Sequence, residues 1–346
     1  MSRQGDVSSL LNYRRIIWVL LICLGLSVFL FYREFSKANV DWSLIQFNSK
    51  SLIFLFCALV MMLFRDLAYM VRIRILTNKV LSWKKCFNVI FLWEFASAVT
   101  PGVVGGAAVA MFILEKEKIP LGKSTALVII TAILDNFFYI FLLPVLFLFV
   151  SPHDLLPADL ASIREGGMTV FWIGYSMIAG INFLLVTSIF IYPKLFGKLA
   201  LFIYRLPLLR RRKHKAEKFA HDIEIASIEL KGRTSVFWLK LFLATLWSWT
   251  SRYLVINFVL LAFIQLNLFD NFIILGRQLV MWLVMLVTPT PGGSGMAEYL
   301  FGELLSDYIR NGALALSLAF LWRLISYYPY LIIGTIILPK WMGKKR

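Results

Sequence analysis

The sequence is short of charge. Asp, Glu, Lys and Arg make up 16% of its 346 residues, against 60% hydrophobic residues. With a mean hydropathy of +0.78, that balance excludes an ordinary soluble globular domain. Cysteine is scarce as well. Cys23, Cys57 and Cys86 are scattered with no C-x-x-C, so neither a disulfide framework nor a zinc framework is expected. His153, His214 and His221 lie far apart, and no metal site is expected from them. No G-x-x-x-x-G-K-[ST] run occurs, which excludes a P-loop that would drive work by ATP hydrolysis. No cofactor is expected. Acids are few, 19 against 36 Lys and Arg, for a net charge of +17. The basic excess is gathered in particular loops, the pattern of a membrane protein obeying the positive-inside rule, so nucleic acid is not an expected partner.

What the chain has in abundance is apolar runs long enough to cross about 30 Å of hydrocarbon. Spans are expected at about 16–32, 51–71, 125–150, 168–192, 236–264 and 313–338. Two further apolar segments, about 86–114 and 272–305, are broken by Pro and Gly. Each arm of the first is too short to cross alone. The 72–85 loop holds Arg72, Arg74, Lys79, Lys84 and Lys85 with no acid, and 193–235 holds eleven Lys and Arg against four acids. The 151–167 loop is mildly acidic. Every basic loop faces the cytoplasm only if both broken segments dip into the membrane and return. The expected fold is therefore an all-α polytopic membrane protein with about six full transmembrane helices plus two re-entrant helical hairpins. Both termini are expected in the cytoplasm, and the setting is the cell's cytoplasmic (inner) membrane. Residues 194–209 read as an amphipathic helix on the inner surface, within the basic cytoplasmic loop 193–235.

The broken segments resemble each other. Thr100-Pro-Gly-Val-Val-Gly-Gly-Ala107 and Thr290-Pro-Gly-Gly-Ser-Gly-Met-Ala297 share T-P-G-x-x-G-x-A, 190 residues apart. Arg65-x-Leu67 returns as Arg252-x-Leu254, and Asp135 falls at the depth of Arg323. A single membrane domain over 1–346, made of half-repeats 16–150 and 168–338 in inverted orientation, follows from those offsets. Transporters built in this way place their substrate sites where the repeats meet.

Ionisable residues inside apolar segments cost roughly 2.5–3.5 kcal/mol each on insertion scales. Arg65, Asp66, Glu94, Asp135, Arg252, Arg277, Glu298 and Arg323 are so placed. Each must find a partner in a protein interior or a wet cavity. Arg65 could instead reach the cytoplasmic side, and Asp135 could pair with Arg323. The glycine-rich run leads into a helix N-terminus, whose free N–H groups suit an anion. The candidate headgroup cavity accordingly comprises Arg65, Pro101, Gly102, Gly105, Asp135, Arg252, Arg277, Pro291, Gly292, Gly293, Gly295, Glu298 and Arg323. No catalytic residue is expected. The eleven tryptophans and many tyrosines read as interfacial anchors and packing.

Val287-Thr-Pro-Thr-Pro-Gly-Gly-Ser-Gly-Met-Ala-Glu298, followed by Leu321-Trp-Arg-Leu-Ile-Ser-Tyr-Tyr-Pro-Tyr-Leu-Ile-Ile-Gly334, resembles the flippase-like transmembrane domain of lysylphosphatidylglycerol synthases. Pro291, Gly292, Gly293, Gly295, Glu298 and Arg323 match that family's pattern; Ala107 and Ala108 stand where the family has Glu or Gln followed by Pro. The resemblance implies a membrane-embedded translocase for a phospholipid or other anionic lipid-linked headgroup. The best-known members of that family carry a soluble aminoacyl-transferase domain after the membrane part; this sequence stops at Arg346, just past the last expected span, so that domain and its synthase activity are not expected here. Expected partners are membrane lipids: an anionic or aminoacylated phospholipid, or a lipid-linked glycan. A lipid-modifying enzyme and a homodimer are kept open as partners. An intramembrane lipid-modifying transferase, an accessory subunit of one, and a small-anion transporter are the alternatives.

Overall fold

A computed structural model describes Gly25, Phe29 and residues 47–100, 102–157, 164–192, 213–286, 288, 290–309 and 311–343. Among these residues every regular element is helical. The α-helices are α1 (Ser49–Leu76), α2 (Trp83–Val99), α3 (Gly102–Lys116), α4 (Leu121–Leu146), α5 (Arg164–Val186), α6 (Lys213–Lys231), α7 (Ser235–Phe263), α8 (Leu268–Met285), α9 (Met296–Leu304), α10 (Gly312–Ser326) and α11 (Tyr328–Met342), with a short 3-10 turn at Pro152–Leu155 and a π-helical turn at Thr187–Ile191. Among the described residues six stretches are long and apolar enough to cross a membrane. The span expected at 16–32, the amphipathic stretch 194–209 and Pro101 lie outside the described residues.

Local chemistry starts the long helices. Asn48 caps α1, its Oδ1 accepting from the Ser51 N–H at 2.9 Å while Ser51 Oγ accepts from the Asn48 N–H at 2.8 Å. Asn267 and Asp270 repeat that reciprocal arrangement at the start of α8, both at 2.8 Å. Such caps satisfy backbone donors that have no partner within the helix.

The two broken segments are helical hairpins. The base of the first is closed by Lys85 Nζ and Glu117 Oε2 at 3.0 Å, which brings the start of α2 beside the end of α3. Near its tip the arms touch: a Cβ on Gly106 would stand 2.2 Å from Ser97 Oγ and 3.1 Å from Ser97 Cα. Its arms of 17 and 15 residues measure roughly 25 and 22 Å. In the second hairpin α9 returns alongside α8, and the Arg277 guanidinium donates to Leu304 O at 2.9 Å and to Asp307 Oδ2 at 2.6 Å. The arms are unequal, 18 and 9 residues. The longer one begins at Leu268, earlier than expected, because Asn267 caps it there, and it counts among the six apolar stretches.

α4 fixes the relative direction of the hairpins. Near its N-terminal end Lys123 meets Glu229 at 2.6 Å, and Glu229 accepts from Asn78 at 2.8 Å, just past α1. The base of the first hairpin lies at that end because α3 ends at Lys116 and α4 begins at Leu121. At the C-terminal end of α4, Leu146 and Leu155 press on Gly276 of α8, and Arg277 donates to Asp154 O at 3.0 Å. The hairpins therefore open towards opposite ends of the bundle. α1 and α7 lie antiparallel against each other, with ring pairs Phe47–Phe263, Phe54–Phe258 and Phe64–Trp247.

The last span differs from expectation. Instead of one helix over 313–338, the chain breaks at Tyr327 (φ −128°, ψ −56°) into α10 and α11. Pro329 in the first turn of α11 lacks the N–H that a continuous helix needs, and its ring would clash with the preceding turn.

Two expectations follow. A Cβ on Gly334 would stand 2.4 Å from Phe95 Cβ, close to the α2 backbone, whereas nothing lies within 4 Å of one on Gly180. Gly334→Ala should lower stability by about 1–3 kcal/mol in detergent unfolding while Gly180→Ala does not; equal effects would contradict this packing of α11 on α2. Hydrogen bonding and charge from Lys123 hold the Glu229 carboxyl below its usual range. A depressed carboxylate contributes stability above its unfolded pKa and loses it as pH falls through the folded value. Anchorage of α6 should therefore weaken below about pH 4. Glu229→Gln should flatten that acid limb in a pH series of melting temperatures.

Candidate functional site

The site begins with spacing on α1. Arg65, Tyr69 and Arg72 fall at i, i+4 and i+7, on one helix face. All three are buried, Arg65 to 1% exposure. The Tyr69 ring lies between the two guanidinium groups, 5.0 Å from Arg65 and 4.8 Å from Arg72. Charge cannot be left alone there, because an unpaired ion in an apolar interior is prohibitively costly. Each arginine accordingly meets a carboxylate from another helix. Arg65 pairs with Glu94 of α2 and has Asp66 3.7 Å away. Arg72 pairs with Asp135 of α4. Asp135 also accepts from Trp249 Nε1 of α7 at 2.8 Å. Asp66 accepts the Tyr330 hydroxyl at 2.7 and 2.8 Å.

A third pair holds the tip of the second hairpin. Gly292, Gly293 and Gly295 have φ of 56°, 68° and 83°, left-handed values that glycine alone adopts without strain. Glu298 reaches back to accept the Gly295 N–H at 2.8 Å and the Arg323 Nε at 2.7 Å. Arg323 then donates to Gly292 O at 2.9 Å. The N-terminus of α9, expected to be open to an anion, is thus filled by the chain's own carboxylate.

The tips of the two hairpins meet. Tyr327, at the break in the last span, donates its hydroxyl to Ala98 O near the first tip at 3.0 Å. A Cβ on Gly292 would stand 2.8 Å from that oxygen and 2.3 Å from the Tyr327 ring. Beside this junction lies a cavity of about 370 Å³. Thr100, Ala107, Thr290 and Gly293 line it from the tips; Glu94, Asp135 and Arg323 line it from helices. Among the described residues no three His, Cys, Asp or Glu side chains gather as a metal site.

The sequence model of one family, described as the lysylphosphatidylglycerol synthase TM region, matches residues 16–334. The chain belongs to that family. It is also 24% identical over 335 residues to a UPF0104 membrane protein of Archaeoglobus fulgidus, covering 92% of this chain and 94% of the relative. No solved structure matches. As a family member it is a multi-pass membrane protein, in keeping with the six apolar stretches among the described residues.

In this member of the lysylphosphatidylglycerol synthase TM family, Arg65, Asp135, Arg252, Gly292, Gly293 and Arg323 all line the cavity. Gly105, Pro291, Gly295 and Glu298 do not. Gly105 faces Thr100 within the first hairpin, and Glu298 and Gly295 shape the second tip from behind. Gly102 begins α3. Arg277 is the clearest correction. It points away, to Asp154 O, Leu304 O and Asp307, while the next residue, Gln278, faces the cavity. Asp135 does not pair with Arg323, and Arg65 does not reach for the surface. Trp93, Trp249, Trp282 and Trp322, read as anchors or packing, line the cavity instead. Arg72, read as part of a basic loop, is buried; its i+7 spacing from Arg65 was the available signal.

Removing one partner of a buried pair typically costs about 3–5 kcal/mol. Arg72→Met should therefore destabilise the protein strongly, and adding Asp135→Asn should restore much of the loss. Additive losses in a double-mutant cycle of detergent unfolding would contradict the pairing.

Proposed function

We propose that the protein is a membrane translocase that moves a phospholipid, aminoacylated phospholipid or other anionic lipid-linked headgroup between leaflets without ATP. The observation that carries this reading is the cavity at the hairpin junction, lined by arginines, carboxylates and aromatic faces. Carrying a charged headgroup through hydrocarbon unaided is prohibitive. A path of pre-paired charges lowers that barrier while acyl tails remain in lipid.

The arrangement of helices supports the same reading. Two hairpins that open at opposite ends, beside an antiparallel α1–α7 pair, suit an inverted repeat whose re-entrant tips meet at mid-depth. The end bearing Lys79, Lys85, Lys118 and Lys123 then faces the cytoplasm, with both termini, in the cytoplasmic membrane. Alternating access would come from one half rocking against the other about the glycine tips.

The test is leaflet exchange of a fluorescent phosphatidylglycerol in vesicles carrying the purified protein. Exchange faster than in empty vesicles is expected. Ala132→Trp, which fills part of the cavity lined by Ala132, should slow it severalfold. Exchange no faster than in empty vesicles would reject the reading, and uptake of free phosphate in place of lipid would favour a small-anion transporter.

A further inference from the structure

Two arginines that line the cavity are already committed, Arg65 to Glu94 and Arg323 to Glu298, and Arg72 nearby is held by the cavity-lining Asp135. Arg252 is not. It is exposed and lines the cavity. Its guanidinium lies 5.3 Å from the centre of the Trp249 ring. Among the described residues no carboxylate is in ion-pair contact with it. The next residue on α7, Tyr253, lines the same cavity and is 5% exposed. Its hydroxyl has no hydrogen-bond partner among the described residues. Native proteins rarely leave a buried donor without an acceptor. Neighbouring residues thus lack the same thing, an acceptor, and one of them also lacks a negative charge.

We propose that Arg252 and Tyr253 form the seat of a single phosphodiester, the headgroup phosphate of the transported lipid. The lipid as the source of that phosphate rests on the translocase reading; the seat itself does not. Contact pairing selects the class. Arg252 is the one cavity-lining arginine with no carboxylate in ion-pair contact among the described residues, and a phosphodiester brings it one negative charge, while Asp66 already adds a second carboxylate beside Arg65. A diphosphate-linked lipid brings at least two charges, and no second unpaired arginine among the described residues lines the cavity to meet the surplus. Trp249 sets the guanidinium in place, and the Trp249 indole is itself fixed by its bond to Asp135.

The seat is tested by titrating the full-length protein in a phosphate-free maltoside detergent. The probes are dihexanoyl phosphatidylglycerol, farnesyl diphosphate and inorganic phosphate, and heat of binding is the readout. The short phosphatidylglycerol should bind at least about tenfold more tightly than either other probe. Loss of a hydrogen bond to a charged group corresponds to roughly tenfold or more in affinity. Tyr253→Phe should weaken binding about tenfold, Arg252→Gln should weaken it further, and Arg252→Lys should recover part of the loss, all with melting temperatures near wild type. Wild-type affinity in either Tyr253→Phe or Arg252→Gln, or equal affinity for the diphosphate or free phosphate, would overturn the proposal. Should the binding losses appear while vesicles show no exchange, the seat stands and the translocase reading falls. Should Arg252→Gln and Tyr253→Phe exchange lipid at the wild-type rate, the seat falls and the translocase reading stands.

Discussion

Buried charge in an apolar medium must find its opposite, and in this protein that requirement joins helices far apart in sequence. Arg65 to Glu94 joins α1 to the first hairpin, Arg72 to Asp135 joins α1 to α4, and Arg323 to Glu298 joins α10 to the second hairpin. In lipid the hydrophobic effect does little to hold helices to one another, so packing and polar contacts carry the association. A buried pair is weak evidence for net stability, because desolvation offsets most of its attraction. It is stronger evidence for specificity, since any other register of these helices strands a charge.

The glycine tips solve a related problem. Irregular backbone survives at membrane depth only where protein or a wet cavity surrounds it. Here the second tip has two backbone groups met from within, Glu298 accepting the Gly295 N–H and Arg323 donating to Gly292 O, and across the junction Tyr327 donates to Ala98 O of the first hairpin. The close contact of Gly292 with Ala98 leaves no space for a side chain. The cavity arises beside that contact, where the helices diverge from the two tips.

Much of this was legible in the sequence, and what was not has a common cause. Apolar length gave α1, α4, α5 and α7, and Pro and Gly marked both hairpins. Depth along a helix can be read from position in an apolar run. Direction around the helix axis cannot be read where every face is apolar. Hence position alone points to Arg277 where the cavity is faced by Gln278, and it does not separate the tryptophans at the cavity from interfacial anchors. Partner choice was equally hidden: Asp135 and Arg323 lie at matching depths yet pair with Arg72 and Glu298. The break at Tyr327 was readable in principle from Pro329, but a proline near mid-span marks equally well a kink in a continuous helix.

Hairpins that open at opposite ends make a direct demand on membrane sidedness. With Cys23, Cys57 and Cys86 replaced, single cysteines at Asn78, Lys118, His153 and Asn311 can be probed in intact cells with a membrane-impermeant maleimide. Residues 78 and 118 should stay unlabelled until the cells are opened if, as proposed, α2 and α3 enter and leave by the cytoplasmic face. Residues 153 and 311 should be labelled from outside. Labelling of 78 and 118 from opposite faces would mean that the first hairpin threads straight through the bilayer, and the paired-tip cavity could not then serve as described.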